Sequence, residues 1–258
     1  MKHLTSRDNP LFKRLKALSA GPQHQRRAGV MLLEGAHLAQ ACLTAGVRPA
    51  HCVVSETGLH HAEIADIVAA LDPACVVVLP HALFEQISTL VNGVGILLVA
   101  PLPRHGLPTR VNGDCVVLDG VQDAGNVGSI LRSAAAANIR AVYCISGTAF
   151  AWAPKVVRAG MGAHFLLDIV EGLEAPALIE RLGVPIAITD SHGAAAVFDA
   201  DLTGPLAWVF GNEGAGVSAP WRAEAALRVT IPQPGGVESL NVAAAAAVCL
   251  FEQVRQRR

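Results

Sequence analysis

Hydrophobic and polar positions along this chain switch repeatedly between a helical and an extended period. Residues 9–18, NPLFKRLKAL, set apolar and basic positions at helical spacing. Residues 30–46, VMLLEGAHLAQACLTAG, read as a strand, a tight turn and a helix stopped by Gly46. Glu34 and Gly35 fall at the start of that helix, as structural residues. CVVS (52–55), CVVVL (75–79) and GILLV (95–99) follow as short strands, with helical patterns at 61–71 and 81–90 between them. Strands that alternate with helices predict a parallel or mostly parallel sheet.

PLPRHGLPTR (101–110) interrupts the pattern with three prolines and a glycine, as a linker does. Alternation then resumes with CVVLD (115–119), a helix from Gly128, AVYCI (141–145), FLLDI (165–169), a helix over 174–182, VPIAITD (184–190), LAWVF (206–210) and LRVTI (227–231). A last helix starts near Asn241. The expected architecture is two α/β domains, 1–102 and 111–258, joined by a linker at 103–110. A single continuous sheet is the alternative, and no internal repeat is visible.

Composition narrows this picture. With 258 residues, 52% of them hydrophobic and only 16% charged, the chain is rich enough in apolar groups for sizeable cores and unlike a disordered one. The net charge is only −1, but residues 1–27 hold seven basic residues against one acid, a local charge of +6. Arg255, Arg257 and Arg258 close the chain. Basic ends on a near-neutral body suit a polyanion, and equally a solvated helix face. The six cysteines form no CxxC pair, and most lie inside apolar runs. That pattern fits a reduced, cytoplasmic protein without a zinc knuckle. MKHLTSRDNP lacks the apolar stretch of a signal peptide, and VGILLVA (94–100) is too short to span a bilayer.

Polar residues collect in three loops, each following an apolar strand: LDGVQDAGNVGSILRSAAAANI (118–139), WVFGNEGAGVS (208–218) and IPQPGGVESLNVAAAAA (231–247). Ligands of open α/β sheets bind outside the carboxyl ends of strands, where glycines allow close approach to backbone. Singly each loop is an ordinary turn; together they make a ligand site. GAGVSA (214–219) formally matches the dinucleotide fingerprint, but lies far from a first βα unit, with Ser218 and Pro220 reading as the start of a short helix.

In order, spacing and residue type, DAGNVGSILRSAAA, VFGNEGAGVS and IPQPGGVESLNVAAAAAV resemble the three motifs of the SpoU (TrmH-type) RNA 2′-O-ribose methyltransferases of the SPOUT superfamily, over about residues 112–254. RRAGVMLLEGAHLAQACL is similar, more loosely, to the small RNA substrate-binding domain that precedes many such catalytic domains. The resemblance implies an α/β fold with a SPOUT-type parallel sheet and a C-terminal deep trefoil knot, a feature almost absent elsewhere. It also implies a homodimer with its active site at the subunit interface, S-adenosylmethionine as cofactor, no metal and no membrane. The RNA is ribosomal or transfer RNA, ribosomal being favoured by the extra domain. Two departures stand out: Ala124 where proline is usual, and Gly160 where the basic segment KVVRAGMGAHF (155–165) commonly has serine.

Carried over residue by residue, the resemblance makes Arg132, Asn126, Glu213, Ser239 and Asn241 catalytic. Gly211, Asn212, Glu213, Gly214, Ile231, Leu240 and Asn241 would contact the cofactor. In the family the matching arginine has been proposed as a general base. A guanidinium, which keeps its proton, suits another task better, gripping a phosphate and stabilising the developing oxyanion. Asn126, read as a loop residue, would orient the ribose or hold Arg132. Asn241 doubles as a helix N-cap. Lys155 and Arg158, spaced i, i+3 on one helix face, and Arg7, Lys13 and Arg14 would bind RNA phosphates. Two rivals remain: a non-catalytic RNA-binding or assembly factor of the same fold, and a dinucleotide-dependent oxidoreductase resting on GAGVSA alone.

Overall fold

A computed structural model describes residues 1–90, 93–190, 195–236 and 239–258. The chain divides into two compact units, one of residues 1–103 with 152–165, the other of residues 104–151 with 166–258. Residues 152–165, which the alternation of elements assigns to the second half, cluster with the first unit.

The first unit contains strands β1 (Lys2–His3), β2 (Val30–Glu34), β3 (His51–Ser55), β4 (Val76–Leu79) and β5 (Ile96–Pro101), in the order β1-β4-β3-β5-β2. Its helices are α1 (Pro10–Ser19), α2 (Pro22–Ala28), α3 (Ala36–Thr44), α4 (Ala62–Ala69) and α5 (His81–Phe84). β1, β4 and β3 run parallel, whereas β5 runs antiparallel to both β3 and β2. A buried apolar run such as ILLVA carries no mark of strand direction, so periodicity could not reveal this reversal. Phe12, Leu15 and Leu18 bury the apolar stripe of α1 against Val53, Val77, Leu97 and Val99. The helical pattern at 81–90 yields only α5. Glu34 ends β2 rather than opening α3, and Gly35, at φ +102°, takes the N-cap position.

The second unit is built on β6 (Cys115–Asp119), β7 (Ala141–Ile145), β8 (Asp168–Leu173), β9 (Ile186–Thr189), β10 (Ala195–Ala196), β11 (Ala207–Gly211) and β12 (Leu227–Thr230). All seven strands are parallel, in the order β10-β12-β9-β11-β6-β7-β8. β11 therefore lies between β6 and β9, which precede it in the chain. Helices α6 (Ala124–Ala136), α8 (Ala175–Ile179), α9 (Ala219–Glu224) and α10 (Val242–Gln256) complete this unit; α7 (Pro154–Gly160) lies in the segment that clusters with the first.

In this unit the clearest departures from the sequence pattern are at α6, β8 and α8. α6 begins at Ala124, not Gly128, because Asp123 caps it: its Oδ1 accepts the Asn126 N–H at 2.9 Å. β8 begins at Asp168, since residues 163–166 wind into a 3₁₀ turn. The 174–182 helix is confined to 175–179. The core of this unit gathers Val117, Tyr143, Ile188, Val209 and Trp221.

α10 is fastened to the sheet by polar groups. The Trp208 indole N–H donates to Gln253 Oε1 at 2.9 Å, and Gln253 Nε2 donates to Asp114 Oδ1 at 3.1 Å. Arg257 pairs with Asp114 at 2.6 and 3.0 Å. Burial opposes the Asp114 charge, but the Arg257 guanidinium and the Leu206 N–H outweigh it and hold this carboxyl below its ordinary value. Arg255 is committed to Glu252 at 2.7 and 2.8 Å. Two of the three C-terminal arginines thus have carboxylate partners, Arg255 on its own helix and Arg257 at Asp114.

All six cysteines are free thiols, and burial raises those of Cys52, Cys115 and Cys249 to about 12. Among the described residues no helix is long and apolar enough to cross a membrane, and no cluster of three or more His, Cys, Asp or Glu is placed to hold a metal.

Candidate active site

The three glycine-bearing loops meet in the second unit, beyond the carboxyl ends of β6, β9, β11 and β12. Two residues of the third loop, 237 and 238, lie outside the described residues. A chain of side-chain amides joins the loops. Asn241 Nδ2 donates to Asn126 Oδ1 at 2.9 Å, and Asn126 Nδ2 donates to Glu213 Oε1 at 2.9 Å. Glu213 also accepts the backbone N–H groups of Gln122 and Asp123 at 3.2 and 3.1 Å. Desolvation would raise the Glu213 pKa. Donation from Asn126 and from the backbone of Gln122 and Asp123 outweighs it, so the carboxyl titrates below its ordinary value.

Asn126 is therefore not a loop residue. It occupies the first turn of α6, where its own N–H is satisfied by Asp123 and its amide is free to bridge. Asn241 does serve helix and site together. Its Oδ1 accepts the N–H groups of Ala243 and Ala244 at 2.9 and 3.3 Å, while its Nδ2 reaches Asn126. Ser218 takes the N-cap position of α9 without a side-chain bond, and its N–H goes instead to Asp119 Oδ2 at 2.6 Å.

Backbone geometry explains the glycines of the second loop. Residues 212–216 form a tight turn closed by reciprocal bonds between Asn212 and Gly216 at 3.1 and 2.9 Å. The Asn212 side chain braces it, accepting from Gly214 and Ala215 at 2.9 and 3.0 Å and donating to the Gly120 carbonyl at 2.9 Å. A Cβ on Gly211 would lie 2.3 Å from the Gly216 carbonyl carbon and the Val217 nitrogen, so no side chain fits there. GAGVSA is thus a braced turn leading from β11 to α9. It does not open a first βα unit, and the dinucleotide reading lapses.

The second and third loops line a cavity of about 480 Å³ whose walls include Gly211, Asn212, Glu213, Gly214, Ser239 and Asn241; no residue of the first loop is among its lining. A smaller cavity of about 110 Å³ adjoins it, sharing Thr189, Ser239, Leu240 and Ala245 and adding Ile231. Every residue expected to contact the cofactor thus borders one or both. Arg132 is exposed, on a part of α6 beyond Asn126, and has no hydrogen bond or ion pair among the described residues. Lys155 and Arg158 lie on α7 in the first unit, where Arg158 donates to Thr89 Oγ1 at 2.7 Å. Thr89 Oγ1 in turn donates to the buried carboxylate of Glu34 at 2.6 Å. Arg7, Lys13 and Arg14 are exposed in the first unit, with Lys13 3.0 Å from Asp8.

Among the lining residues that sequence reasoning missed are Thr189, Arg222 and Gln233. Thr189 ends β9, and the strand-end rule could have found it. Arg222 reaches the cavity from α9 with its Nε donating to the Val217 carbonyl at 2.7 Å; that placement depends on how α9 packs. Gln233 borders the smaller cavity.

An all-parallel sheet whose glycine-bearing loops converge on one cleft, carrying these motifs, defines an S-adenosylmethionine-dependent methyltransferase acting on RNA ribose 2′-hydroxyls. The chain belongs to the SpoU rRNA methylase family, whose pattern it matches over residues 114–251. It is 32% identical to an uncharacterized tRNA/rRNA methyltransferase of Synechocystis, over 98% of this chain and 94% of that one. It is 30% identical to the 23S rRNA (guanosine(2553)-2′-O)-methyltransferase of Bacillus subtilis, over 97% and 98%. The crystal structure of the SpoU methyltransferase AviRb from Streptomyces viridochromogenes in complex with AdoMet superposes with a TM-score of 0.86 at 28% identity, covering 96% of this chain and 98% of that one.

Proposed function

We propose that this enzyme methylates a ribose 2′-hydroxyl of large-subunit ribosomal RNA, with the cofactor held in the C-terminal cleft. The joining of Asn241, Asn126 and Glu213 across three separate loops carries this reading. The cleft suits S-adenosylmethionine: the Gly211–Gly216 turn lines the larger cavity, and Gln233 offers a buried acceptor that no donor satisfies among the described residues. When bound, that cofactor supplies an electrophilic sulfonium methyl. Gly211, Asn212, Gly214, Ile231 and Leu240 would hold it, largely through backbone. Arg132, without a hydrogen bond or ion pair among the described residues, grips a phosphate beside the target ribose and stabilises negative charge developing on its oxygen. Asn126, Glu213, Ser239 and Asn241 fix the geometry around it.

Lys155, Arg7, Lys13 and Arg14 supply phosphate contacts, and Arg158 joins them from a position set by Thr89. The enzyme acts as a homodimer, as the family resemblance implies, with Phe251 of α10, 46% exposed, offering an apolar contact. The insertion of β11 between β6 and β9, with α10 packed on α6, supports the C-terminal trefoil knot. Buried thiols without disulfides support a cytoplasmic setting.

Mapping ribose methylation across all RNA from cells lacking the protein tests the substrate. One 23S position should lose its methyl group and regain it on complementation. Loss confined to a transfer RNA would replace the ribosomal reading.

A further inference from the structure

The third loop holds a polar group that neither the packing nor the amide chain uses. Gln233 follows β12, and its Oε1 is sealed from solvent yet accepts no hydrogen bond among the described residues. Buried acceptors without donors are rare, because folding strips their water and returns nothing. Such an atom beside a cavity marks where a donor arrives from outside the chain. The smaller cavity that Gln233 borders has Val229, Ile231, Leu240 and Ala245 among its walls, apolar surface suited to a flat heterocycle. It shares Thr189, Ser239 and Leu240 with the larger cavity, where Arg222 and Glu213 supply charge. A ligand lying across both would put an aromatic ring bearing an N–H donor at one end and a zwitterionic group at the other.

We propose that Gln233 reads the adenine of the cofactor, its Oε1 accepting an N–H of the exocyclic 6-amino group, which makes it a specificity-determining residue. This rests on placing S-adenosylmethionine in the C-terminal cleft and goes beyond that placement by assigning one side chain to one atom of the base. Adenine presents this amino group as a donor, and glutamine is a natural partner for it. Ile231, two residues earlier, and Leu240 would flank the ring. Glutamine thereby adds a side-chain test of the base to a pocket otherwise formed largely by backbone.

Calorimetric titration of the full-length protein separates the possibilities, using S-adenosylhomocysteine and its 6-deamino analogue, in which hydrogen replaces the amino group. The wild type should bind the adenosyl compound about tenfold more tightly or better. Gln233→Met, close in shape but without the acceptor, should weaken the adenosyl compound about tenfold and change the deamino analogue by less than about twofold. Gln233→Glu retains an acceptor and should keep the preference for the amino group. Equal weakening of both compounds by Gln233→Met would show a role in shape alone and overturn the proposal. So would an undiminished preference in that variant. S-adenosylhomocysteine binding that is lost in Gly211→Ala yet indifferent to Gln233→Met would sink the adenine contact and leave the cofactor site standing. A wild type that binds neither compound would overturn the cofactor placement and the adenine contact with it.

Discussion

Asn126 has one amide and two partners, Asn241 above it and Glu213 below. Its value lies in that two-sidedness: aspartate could not donate to Glu213, and alanine would leave both neighbours short of a bond. Arg132, by contrast, is available because none of the described residues claims it. Arg132→Ala should cut the rate of methyl transfer by at least about 10²-fold, the scale of losing a charge-stabilising donor, while S-adenosylhomocysteine affinity stays near wild type. Single-turnover rates beside calorimetric affinities check this; an affinity loss as large as the rate loss would refute the role. Glu213 gives a pH signature. Its folded-state pKa lies below the unfolded value of about 4.3, so the stability it contributes is complete above that pH. That contribution is lost as pH falls through the lower folded value. Between about pH 6 and about pH 3 the melting temperature of the wild type should therefore drop further than that of Glu213→Gln.

At the scale of elements, α10 shows how one residue ties a helix to the chemistry. Asn241→Ala removes its N-cap, worth about 1 kcal/mol, and should lower the melting temperature by about 2–4 °C. The same change cuts the link to Asn126, so cofactor affinity should fall as well. In Asn241→Ser, which can cap but not span to Asn126, stability should recover without the affinity. Much of this was readable beforehand. The alternation of strand and helix, the N-cap at Asn241 and the convergence of three polar loops follow from period, capping chemistry and the strand-end rule. What escaped prediction depends on distant partners. The reversed β5 could not be seen because a run buried on both faces has no direction. The early start of α6 depended on an aspartate that looked like part of a loop. The commitment of Arg255 and Arg257 to Glu252 and Asp114 could not be distinguished from a free basic tail, since Asp114 is far away in sequence.

Across the whole molecule, charge and chemistry occupy different units. The exposed Arg7, Lys13 and Arg14 lie in the first, and the cleft is built entirely by the second. Reversing those three residues to glutamate should weaken RNA binding and flatten the slope of log affinity against log salt by about 2, for three lost phosphate contacts. Filter binding at several salt concentrations measures that slope, and affinity for S-adenosylhomocysteine should not move. The seven-stranded sheet has a further consequence. β11 docks beside β6 through partners such as Leu206 and Asp114, which are 92 positions apart, and the cleft needs Asn241 from later still. While a ribosome is still making this polypeptide, its earlier strands must wait with their edges bare. The growing product has no place to keep a methyl donor until residue 241 has emerged and its helix has settled. A prematurely ended translation product would thus be inert toward RNA, and its unpaired strand edges would expose it to chaperones and proteases.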